Sequence, residues 1–376
     1  MQLTAEQILI RDTSRRFAIE QMAPHIREWE AQQSTPRGLY REMAKIGLMG
    51  MTVNPEFGGA GLDFVSYALA IEELAAVDGG ICNVMSANNS PVAAALDEYG
   101  TPQQKENYLR RITSGEWLSS IHLTEPQAGS DAASIRTRAV KDGDEFVIDG
   151  TKAFITAGAS ADLAMIVTVT DPDLGKRGIT TFITPTDNPG YQVVRKENKL
   201  GHRTVDTCEV RFDEMRVPAS DVLGEQGQGL RIALANLSLG RIGVAAQATG
   251  GARAAFDAAK NYANERETFG KKINHHQAIA FKLAEMATQI EAARQLYLHA
   301  ADMHDKGLAC AKEASMAKLF ASEMAEKVVS DAIQIHGGYG YLTDYAIEKI
   351  YRDVRVYQIY EGTSEVQKIM ISRLLD

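Results

Sequence analysis

The sequence predicts an α+β fold that is mainly helical: an N-terminal helical domain, a middle domain folded as an antiparallel β-sandwich or barrel, and a C-terminal four-helix bundle. Helical periodicity dominates the first third of the 376-residue chain. Short runs rich in Thr, Val, Ile and Phe, separated by close turns, follow from about residue 118, and long amphipathic segments return after residue 218. We place the domains at residues 1–117, 118–224 and 225–376, since a chain of this length is too long for one ordinary core.

Two helix starts and one amphipathic segment define the N-terminal part. Residues 4–7 (Thr-Ala-Glu-Gln) and 101–104 (Thr-Pro-Gln-Gln) each pair a capping Thr with a Gln three positions later, the pattern that opens a helix. Tyr67, Ile71 and Leu74 fall on one face of a predicted helix. We therefore expect several helices here.

The middle part shows turn signals typical of antiparallel strands. Asp142-Gly143 and Asp149-Gly150 flank a short apolar run and predict a hairpin turn at each end of it. Further strands are predicted at residues 163–170, 178–184 and 208–212. Turns spaced this closely leave no room for crossover helices, so we expect an antiparallel sheet.

Two apolar stripes at helical spacing predict that the C-terminal part is a bundle of long helices. The first stripe consists of Ile279, Leu283, Met286, Ile290, Ala293 and Tyr297. The second consists of Met316, Phe320, Met324, Val328 and Ile335. We interpret both stripes as core faces and not as ligand sites.

Composition disfavours several classes of function. Hydrophobic residues make up 45% of the chain and charged residues 24%, as in globular enzymes. The net charge of −9 disfavours nucleic acid as a partner. No apolar run reaches the ~18–20 residues of a membrane span, so no membrane insertion is expected. The eight histidines form no HExxH motif and the cysteines form no CxxC pair, so no metal site is predicted.

The cysteines and the first residues favour a cytoplasmic location. Cys82, Cys208 and Cys310 are odd in number and far apart, which favours reduced thiols over a disulfide framework. The N-terminal residues lack the basic and apolar regions of a signal peptide. We therefore expect a cytoplasmic protein.

The leading candidate for catalysis is Glu361, which lies between Tyr360 and Gly362. The aromatic ring can exclude water on one side, and the glycine lets a ligand approach the backbone. A carboxyl group in such a setting is partly desolvated, so its pKa rises toward neutrality and suits a general base. From these residues alone the alternative stays open: an exposed Glu in the turn before a terminal helix.

Glycine-rich segments raise the question of a nucleotide site. Residues 337–340 (Gly-Gly-Tyr-Gly) and 227–229 (Gly-Gln-Gly) do not complete G-x-G-x-x-G, so we reject a Rossmann domain. Glycines next to a helix can still hold a pyrophosphate through backbone N–H groups. Residues 123–131 and 152–156 can supply backbone donors and hydroxyls to a polar heterocycle, or they are two ordinary turns. Ser130 has no histidine placed to activate it as a nucleophile.

Several separated motifs resemble the acyl-CoA dehydrogenase family, and the resemblance covers the whole chain. Residues 123–131 fit the first family signature, although His122 and Gln127 stand where small residues are common. We interpret both as tolerated packing variants. The second signature runs without departure over residues 334–353. Further family-like stretches lie at residues 57–61, 266–270 and 360–363.

The resemblance implies FAD as cofactor and an acyl-CoA thioester as substrate, oxidised to the trans-2-enoyl-CoA. Glu361 would remove the α-proton while a hydride leaves the β-carbon for flavin N5. The thioester carbonyl must be polarised as charge develops, and its donors in the family are the backbone N–H of the catalytic Glu and a flavin ribityl hydroxyl. Some members carry the base just before an arginine that corresponds to Arg241. Gly240 stands there in this chain, so Glu361 is the base that fits the family.

The resemblance also implies binding residues and an assembly. The flavin ring is expected to contact Leu123, Thr124, Ser130, Phe154, Ile155 and Thr156. The remainder of FAD is expected to contact Arg266, Phe269, Gln277, Gln334, Gly337 and Gly338, partly from a neighbouring subunit, and Thr363 and Glu365 to close over it. The thioester is expected to contact Ser130, Arg241, Tyr360, Gly362 and Arg373. A cofactor shared in this way makes a dimer the minimum active unit, and the family is usually a homotetramer.

The identity of the acyl group stays open. Its pocket floor is expected near residues 86–92 and near the helix that begins at Leu230. The stretches 336–342 and 371–373 look closest to branched short-chain members, which act in fatty acid or branched-chain amino acid catabolism. No arginine lies within residues 86–92, which disfavours a glutaryl-type decarboxylation.

Three functional hypotheses are carried forward. The first is a dehydrogenase that passes electrons to an electron-transfer flavoprotein. The second is an oxygen-using relative of the same fold, either an acyl-CoA oxidase or a flavin monooxygenase. The third is a non-catalytic helical scaffold. Glu361 in its full motif argues against the monooxygenase and the scaffold.

Overall fold

The N-terminal part of the computed structural model, which describes residues 1–375 apart from the side chain of Ser238, is helical. Its helices are α1 (Ala5–Phe17), α2 (Ile26–Gln32), α3 (Arg37–Lys45), α4 (Phe64–Ala75), α5 (Gly79–Ala87), α6 (Ala94–Tyr99) and α7 (Pro102–Thr113). The capping boxes predicted at Thr4 and Thr101 are confirmed. Each Thr side chain accepts from the backbone N–H of the Gln three residues on, and the side chain of that Gln accepts from the backbone N–H of the Thr. All residues of α4 are buried, so this helix lies at the centre of the molecule.

A curled seven-stranded sheet forms the middle part. Its strands are β1 (Ser119–His122), β2 (Arg138–Asp142), β3 (Glu145–Thr156), β4 (Leu163–Val169), β5 (Ile179–Pro185), β6 (Tyr191–Lys196) and β7 (Thr207–Pro218). The order is β1-β4-β2-β3-β7-β6, with β5 paired to β4. Pairing is antiparallel except that β4 runs parallel to β1 and β2. The long connection from β1 to β4, which contains the β2–β3 hairpin, makes the parallel pairing possible.

The turn predicted at Asp149-Gly150 is wrong, because β3 continues through these residues as a bulge. The pairing of β3 with β7 shifts register between Ile148 and Gly150. A Cβ atom at Gly150 would lie 2.4 Å from Thr137 Oγ1. The glycine therefore permits a close approach of two chain segments, and Asp-Gly alone cannot distinguish this use from a turn.

Three long helices dominate the C-terminal part. Its elements are α8 (Gly229–Glu265), β8 (Glu267–Thr268), β9 (Lys271–Lys272), α9 (Gln277–Asp305), α10 (Ala311–His336), α11 (Ile347–Val354) and α12 (Ser364–Ser372). The most extensive contact between elements joins α10 to α8. With this arrangement the predicted three-part, mainly helical fold is confirmed.

The two predicted stripes have different outcomes. On α9, Met286, Ile290 and Tyr297 are buried as predicted. On α10 the prediction is wrong at Phe320, which is 38% exposed. Met324, Val328 and Ile335 are buried as predicted, and small residues such as Ala317 and Ala321 complete the buried face, because close packing of two long helices favours short side chains.

Buried charges connect the N-terminal and C-terminal parts around α4. Glu72 of α4 is 2% exposed and accepts hydrogen bonds from Arg253 of α8, Arg294 of α9 and Tyr297. Its neighbour Glu73 binds Arg15 of α1 and Arg253. These paired charges fix α4 against α1, α8 and α9.

A second buried cluster fixes α11 just before the Glu361 segment. Lys349 Nζ donates to Asp78 Oδ2 at 2.7 Å and to Asp353 Oδ2 at 2.5 Å. Asp78 caps α5, and Asp353 accepts from the backbone N–H of His202. Burial acts to lower the pKa of Lys349, but the two carboxylates outweigh it and raise that pKa. This cluster thus joins all three parts of the fold.

Within residues 1–375, no helix is long and apolar enough to cross a membrane.

Candidate functional site

Glu361 lies in the connection between α11 and α12, and its backbone is strained. Its φ angle is +56°, and Gly362 follows with φ of +90°. A non-glycine residue in the left-handed region costs about 1–3 kcal/mol and persists only when its surroundings fix it. Such strain is typical of functional sites, so we take this connection as the centre of the candidate site.

Two buried side chains hold this connection by its carbonyl groups. Lys318 Nζ, from α10, donates to the Gly362 carbonyl at 2.7 Å. Gln367 Nε2, from α12, donates to the carbonyls of Gly362 at 2.9 Å and Glu361 at 3.1 Å. Thr363 caps α12 by accepting from the backbone N–H of Val366. These contacts hold the Glu361 backbone in its unusual conformation.

The Glu361 carboxylate points into the protein. Its Oε2 atom is buried and has no hydrogen-bond partner in the described part of the chain. Burial raises the pKa of Glu361 to about 7, while the charges of Arg241 and Lys318 act to lower it. The interpretation as an exposed turn residue is therefore wrong, and the group has the properties of a base that works near neutral pH.

Gly240 of α8 makes room for this carboxylate. A Cβ atom there would lie 3.1 Å from Glu361 Oε2, so a larger residue would push the carboxylate away. The next residue, Arg241, is 6% exposed and donates through Nη1 to Ser315 Oγ at 3.2 Å. Its buried Nε has no partner among the residues described, so a donor remains for a ligand.

Aromatic side chains surround the preceding residue. The Tyr360 hydroxyl donates to Gln247 Oε1 on α8. The Tyr360 ring centroid lies 5.9 Å from that of Tyr357 and 6.3 Å from that of His202. These rings exclude water from one side of the Glu361 connection.

The two predicted segments of the β region lie side by side. Ala153 N donates to the Thr124 carbonyl at 2.9 Å, and Lys152 Nζ donates to the Leu123 carbonyl at 3.0 Å. A buried ion pair between Lys152 and Glu125, at 2.9 Å, reinforces this contact.

The side chains of residues 154–156 point in different directions. Phe154 is 67% exposed and has φ of +59°. Ile155 packs into the β core, so only its backbone can reach a ligand. Thr156 Oγ1 accepts from Asn83 Nδ2 of α5 at 3.3 Å, which connects this strand to the helix beside the Glu361 site. Ser130 is exposed.

A separate cavity of about 390 Å³ contains part of the predicted cofactor set. Its lining includes Arg266, Gly337 and Gly338. The φ angle of Gly337 is +60°, and a Cβ atom at either glycine would meet only open space. This cavity has the cation and the accessible backbone that a pyrophosphate requires.

Other predicted residues are exposed and lie outside these contacts. Phe269 is 96% exposed, and Gln277, Gln334, Glu365 and Arg373 are exposed as well. In the described chain, no hydrogen bond or ion pair joins Arg373 to Glu361. A single chain therefore assembles the Glu361 centre and leaves these residues facing outward.

The two departures from the family signature have separate structural roles. His122 is fully buried in the β core, where its ring packs against Tyr191 and Phe212 and its Nε2 contacts Ser120 Oγ at 2.8 Å. Burial lowers the pKa of His122 to about 3, so it is a neutral core residue. Gln127 is exposed and donates to Glu125 Oε2.

Three residues of the Glu361 centre were missed by sequence reasoning: Lys318, Gln367 and Gln247. A signal existed for Lys318, because it falls on the buried small-residue face of α10, where a solvated lysine would be out of place. Gln367 and Gln247 are ordinary helix residues, and nothing in their spacing distinguishes them. No group of three or more His, Cys, Asp or Glu side chains among residues 1–375 could hold a metal ion.

Comparison with known proteins extends over the whole chain. Family models described as the N-terminal, middle and C-terminal domains of acyl-CoA dehydrogenase match residues 4–116, 120–215 and 227–375. An acyl-CoA dehydrogenase of Bacillus subtilis (strain 168) is 46% identical over 375 residues, covering 100% of this chain and 99% of that protein.

Solved structures agree with this similarity. Butyryl-CoA dehydrogenase from Megasphaera elsdenii is 40% identical with a TM-score of 0.97, covering 100% of this chain and 99% of that one. A chain solved in work on the electron transferring flavoprotein of Acidaminococcus fermentans is 43% identical with a TM-score of 0.98 and the same coverage. A glutaryl-CoA dehydrogenase from Mycobacterium smegmatis in complex with FADH2 is 31% identical, with a TM-score of 0.94, covering 99% of this chain and 95% of that one.

Proposed function

The chain belongs to the acyl-CoA dehydrogenase family, and from this premise we propose that Glu361 is the base that removes the α-proton of an acyl-CoA thioester. The protein is therefore an oxidoreductase of the acyl-CoA dehydrogenase class, and the hypothesis of a non-catalytic scaffold is ruled out. The observation that carries the proposal is the Glu361 carboxylate: its Oε2 atom is buried without a partner, and its pKa is raised to about 7.

FAD is the cofactor of this enzyme, and the residues present fit it. The cavity at Gly337 and Gly338 offers backbone and the Arg266 guanidinium to a pyrophosphate. The exposed Phe154 offers the flavin ring an aromatic surface beside the polar segment that begins at Leu123. When bound there, FAD would supply the acceptor for the hydride that leaves the substrate β-carbon.

Proton removal requires a base that is charged at working pH and still basic. A carboxylate with a pKa near 7 meets both conditions, because about half of it is ionised at that pH and its affinity for a proton is high. Arg241 and Lys318 keep the group from becoming fully neutral. Gly240 leaves the space in which the carboxylate sits.

The same residue can also stabilise the charge that develops on the thioester oxygen. The backbone N–H of Glu361 donates to no described residue, while its carbonyl is already held by Gln367. Its left-handed conformation is fixed before substrate arrives, so this donor needs no reorganisation during the reaction. Tyr360, which is hydrogen-bonded to Gln247, helps to exclude water from the site. Exclusion of water strengthens the interaction of the carboxylate with the α-proton and that of the backbone N–H with the thioester oxygen.

The electrons then pass to an electron-transfer flavoprotein. The oxygen-using relative of the same fold, an acyl-CoA oxidase, differs only in this second half-reaction. We further propose a homotetramer with a dimer as the minimum active unit. The exposed Phe269, Gln277 and Gln334 support it, because a neighbouring subunit can then complete the cofactor site.

An anaerobic titration tests the proposal. The purified flavoprotein is mixed with butyryl-, isobutyryl- and octanoyl-CoA while the flavin absorbance is followed. We expect bleaching by at least one of them, and a loss of at least ~10²-fold in rate for Glu361→Gln. Glu323→Gln, an exposed carboxylate on α10, is the matched control. Near-normal rates for Glu361→Gln would refute the assignment, and fast reoxidation by air instead of the flavoprotein would favour the oxidase.

A further inference from the structure

Helix α8 presents two glycines, one turn apart, toward the catalytic centre. Gly240 faces Glu361, as described above. At Gly243 a Cβ atom would lie 3.4 Å from both Ser86 Oγ and the Tyr67 hydroxyl oxygen. Residues three apart share one face of a helix, so the carboxylate and this hydroxyl pair lie along the same side of α8.

The two hydroxyl groups form a buried pair between helices. The oxygens of Tyr67, on α4, and Ser86, on α5, are 2.8 Å apart. Tyr67 is 0% exposed and Ser86 is 6% exposed. Burial raises the pKa of Tyr67, the bond to Ser86 opposes this, and the charge of Glu361 raises it further.

The pair is a rigid wall because both helices that carry it are anchored. Glu72 and Glu73 fix α4 through buried ion pairs. Asp78 caps α5 and is bound by Lys349. Further along the same face of α8, Gln247 is fully buried and accepts a hydrogen bond from Tyr360 through Oε1, so this face is packed beyond the wall as well.

We infer that the Tyr67–Ser86 pair ends the acyl pocket one helical turn beyond Glu361, and that the substrate is a short acyl-CoA of about four carbons. The inference rests on the proposed function, since it takes the substrate α-carbon to lie at Glu361. Three residues of α helix advance about 4.5 Å, and a carbon–carbon bond is about 1.5 Å long. Only a few carbons therefore fit between the base and the wall.

The chain-length profile of the wild-type holoenzyme is the first test. Rates of flavin reduction by propionyl-, butyryl-, hexanoyl- and octanoyl-CoA are compared under anaerobic conditions. We expect kcat/KM for octanoyl-CoA to be at least ~10-fold below that for butyryl-CoA, about the discrimination that one or two methylene groups allow. This measurement requires no variant and so does not depend on folding of a mutant.

Two substitutions at one position then test the wall itself. Tyr67→Ala removes the ring, and we expect the ratio of octanoyl to butyryl rates to rise at least ~10-fold. Tyr67→Phe keeps the ring and removes only the hydroxyl, so it is the matched control and should keep the wild-type ratio. Tyr67→Leu is a smaller truncation that serves the same purpose if the Ala variant is unstable.

The outcomes separate the inference from the proposed function. Wild-type enzyme that oxidises octanoyl-CoA as fast as butyryl-CoA would overturn the inference and leave the proposed function intact. An unchanged ratio in folded Tyr67→Ala and Tyr67→Leu would also overturn it. A flavoprotein that no acyl-CoA reduces would overturn the proposed function, and the inference with it.

Discussion

Glu361 combines a left-handed backbone, a buried carboxylate oxygen without a partner and two nearby cations. Burial alone would favour the neutral acid at physiological pH, and a neutral acid cannot accept a proton. Arg241 and Lys318 offset part of that effect without forming an ion pair with the carboxylate. The pKa of about 7 results from this balance, so changing one cation should change the pH at which the base works.

Lys318→Met tests this balance. Lys318 is fully buried, and burial lowers its own pKa to about 8, so it is charged at neutral pH. Removing that charge raises the pKa of Glu361 further. Because the base must be deprotonated, we expect the acid side of the kcat–pH profile to shift upward by about one pH unit. Turnover at pH 7 should fall and should recover in part at pH 9.

Lys368→Met, at an exposed position of α12, is the control for loss of a lysine. Lys318→Arg keeps the charge and should restore most of the wild-type profile. A Lys318→Met enzyme that is slower at every pH with an unshifted profile would contradict the electrostatic role. The role of Lys318 would then be limited to its hydrogen bond to the Gly362 carbonyl.

At the scale of elements, the Glu125–Lys152 pair joins the two chain segments that we expect to face the flavin. Lys152 is 0% exposed and Glu125 is 3% exposed. Burial lowers the pKa of Lys152 to about 8, and Glu125 acts to raise it. Burial acts to raise the pKa of Glu125, but Lys152 and the N–H donors of Arg136 and Thr137 bring it to about 2. Each partner therefore depends on the other for its charged state.

Lys152→Met should destabilise the fold and weaken flavin retention. It leaves a buried carboxylate without its cation, which costs about 3–5 kcal/mol. Urea unfolding and the ratio of flavin to protein after gel filtration measure the two effects. Lys141→Met, at an exposed position of β2, should change neither. A stable Lys152→Met protein with full flavin content would show that the two segments do not need the pair.

Elements were predictable from the sequence where one local rule decides. Thr4 and Thr101 cap helices because a hydroxyl and a Gln three residues on satisfy free backbone groups locally. Prediction failed where packing decides. Gly150 permits a close approach to Thr137, which no turn rule considers, and Phe320 faces outward because alanines fill the contact of α10 with α8.

At the scale of the whole molecule, the candidate site combines residues about 120 positions apart. Gly240 and Arg241 of α8 meet Glu361, and no periodicity or local motif connects them. Family resemblance could select Glu361 and Arg241, but it did not indicate that Lys318 and Gln367 hold the backbone of the same connection. Those contacts depend on how α10 and α12 pack around the Glu361 connection, which no local sequence pattern reveals.

The outward-facing part of the predicted cofactor set supports our proposal that a neighbouring subunit completes the cofactor site. Phe269 is 96% exposed with φ of +52°, and among the described aromatic rings its ring meets only that of His276, at 6.1 Å between centroids. Tyr341 is 87% exposed. Large aromatic side chains exposed beside a cavity are typical of surfaces that bind another molecule.

Phe269→Asp separates the stability of one chain from assembly and cofactor binding. Because the side chain is almost fully exposed in the single chain, its replacement should change the free energy of unfolding of the isolated chain by less than about 0.5 kcal/mol. At a subunit contact the same carboxylate would be buried without a partner, which is strongly unfavourable. We therefore expect a lower mass by light scattering, with a flavin content that falls on dilution.

Leu174→Asp, at a half-exposed position between β4 and β5, controls for the added charge. A Phe269→Asp protein of unchanged mass that loses flavin would place this ring against the cofactor of its own chain. A Phe269→Asp protein that keeps both its mass and its flavin would show that the ring contacts neither a neighbouring subunit nor the cofactor.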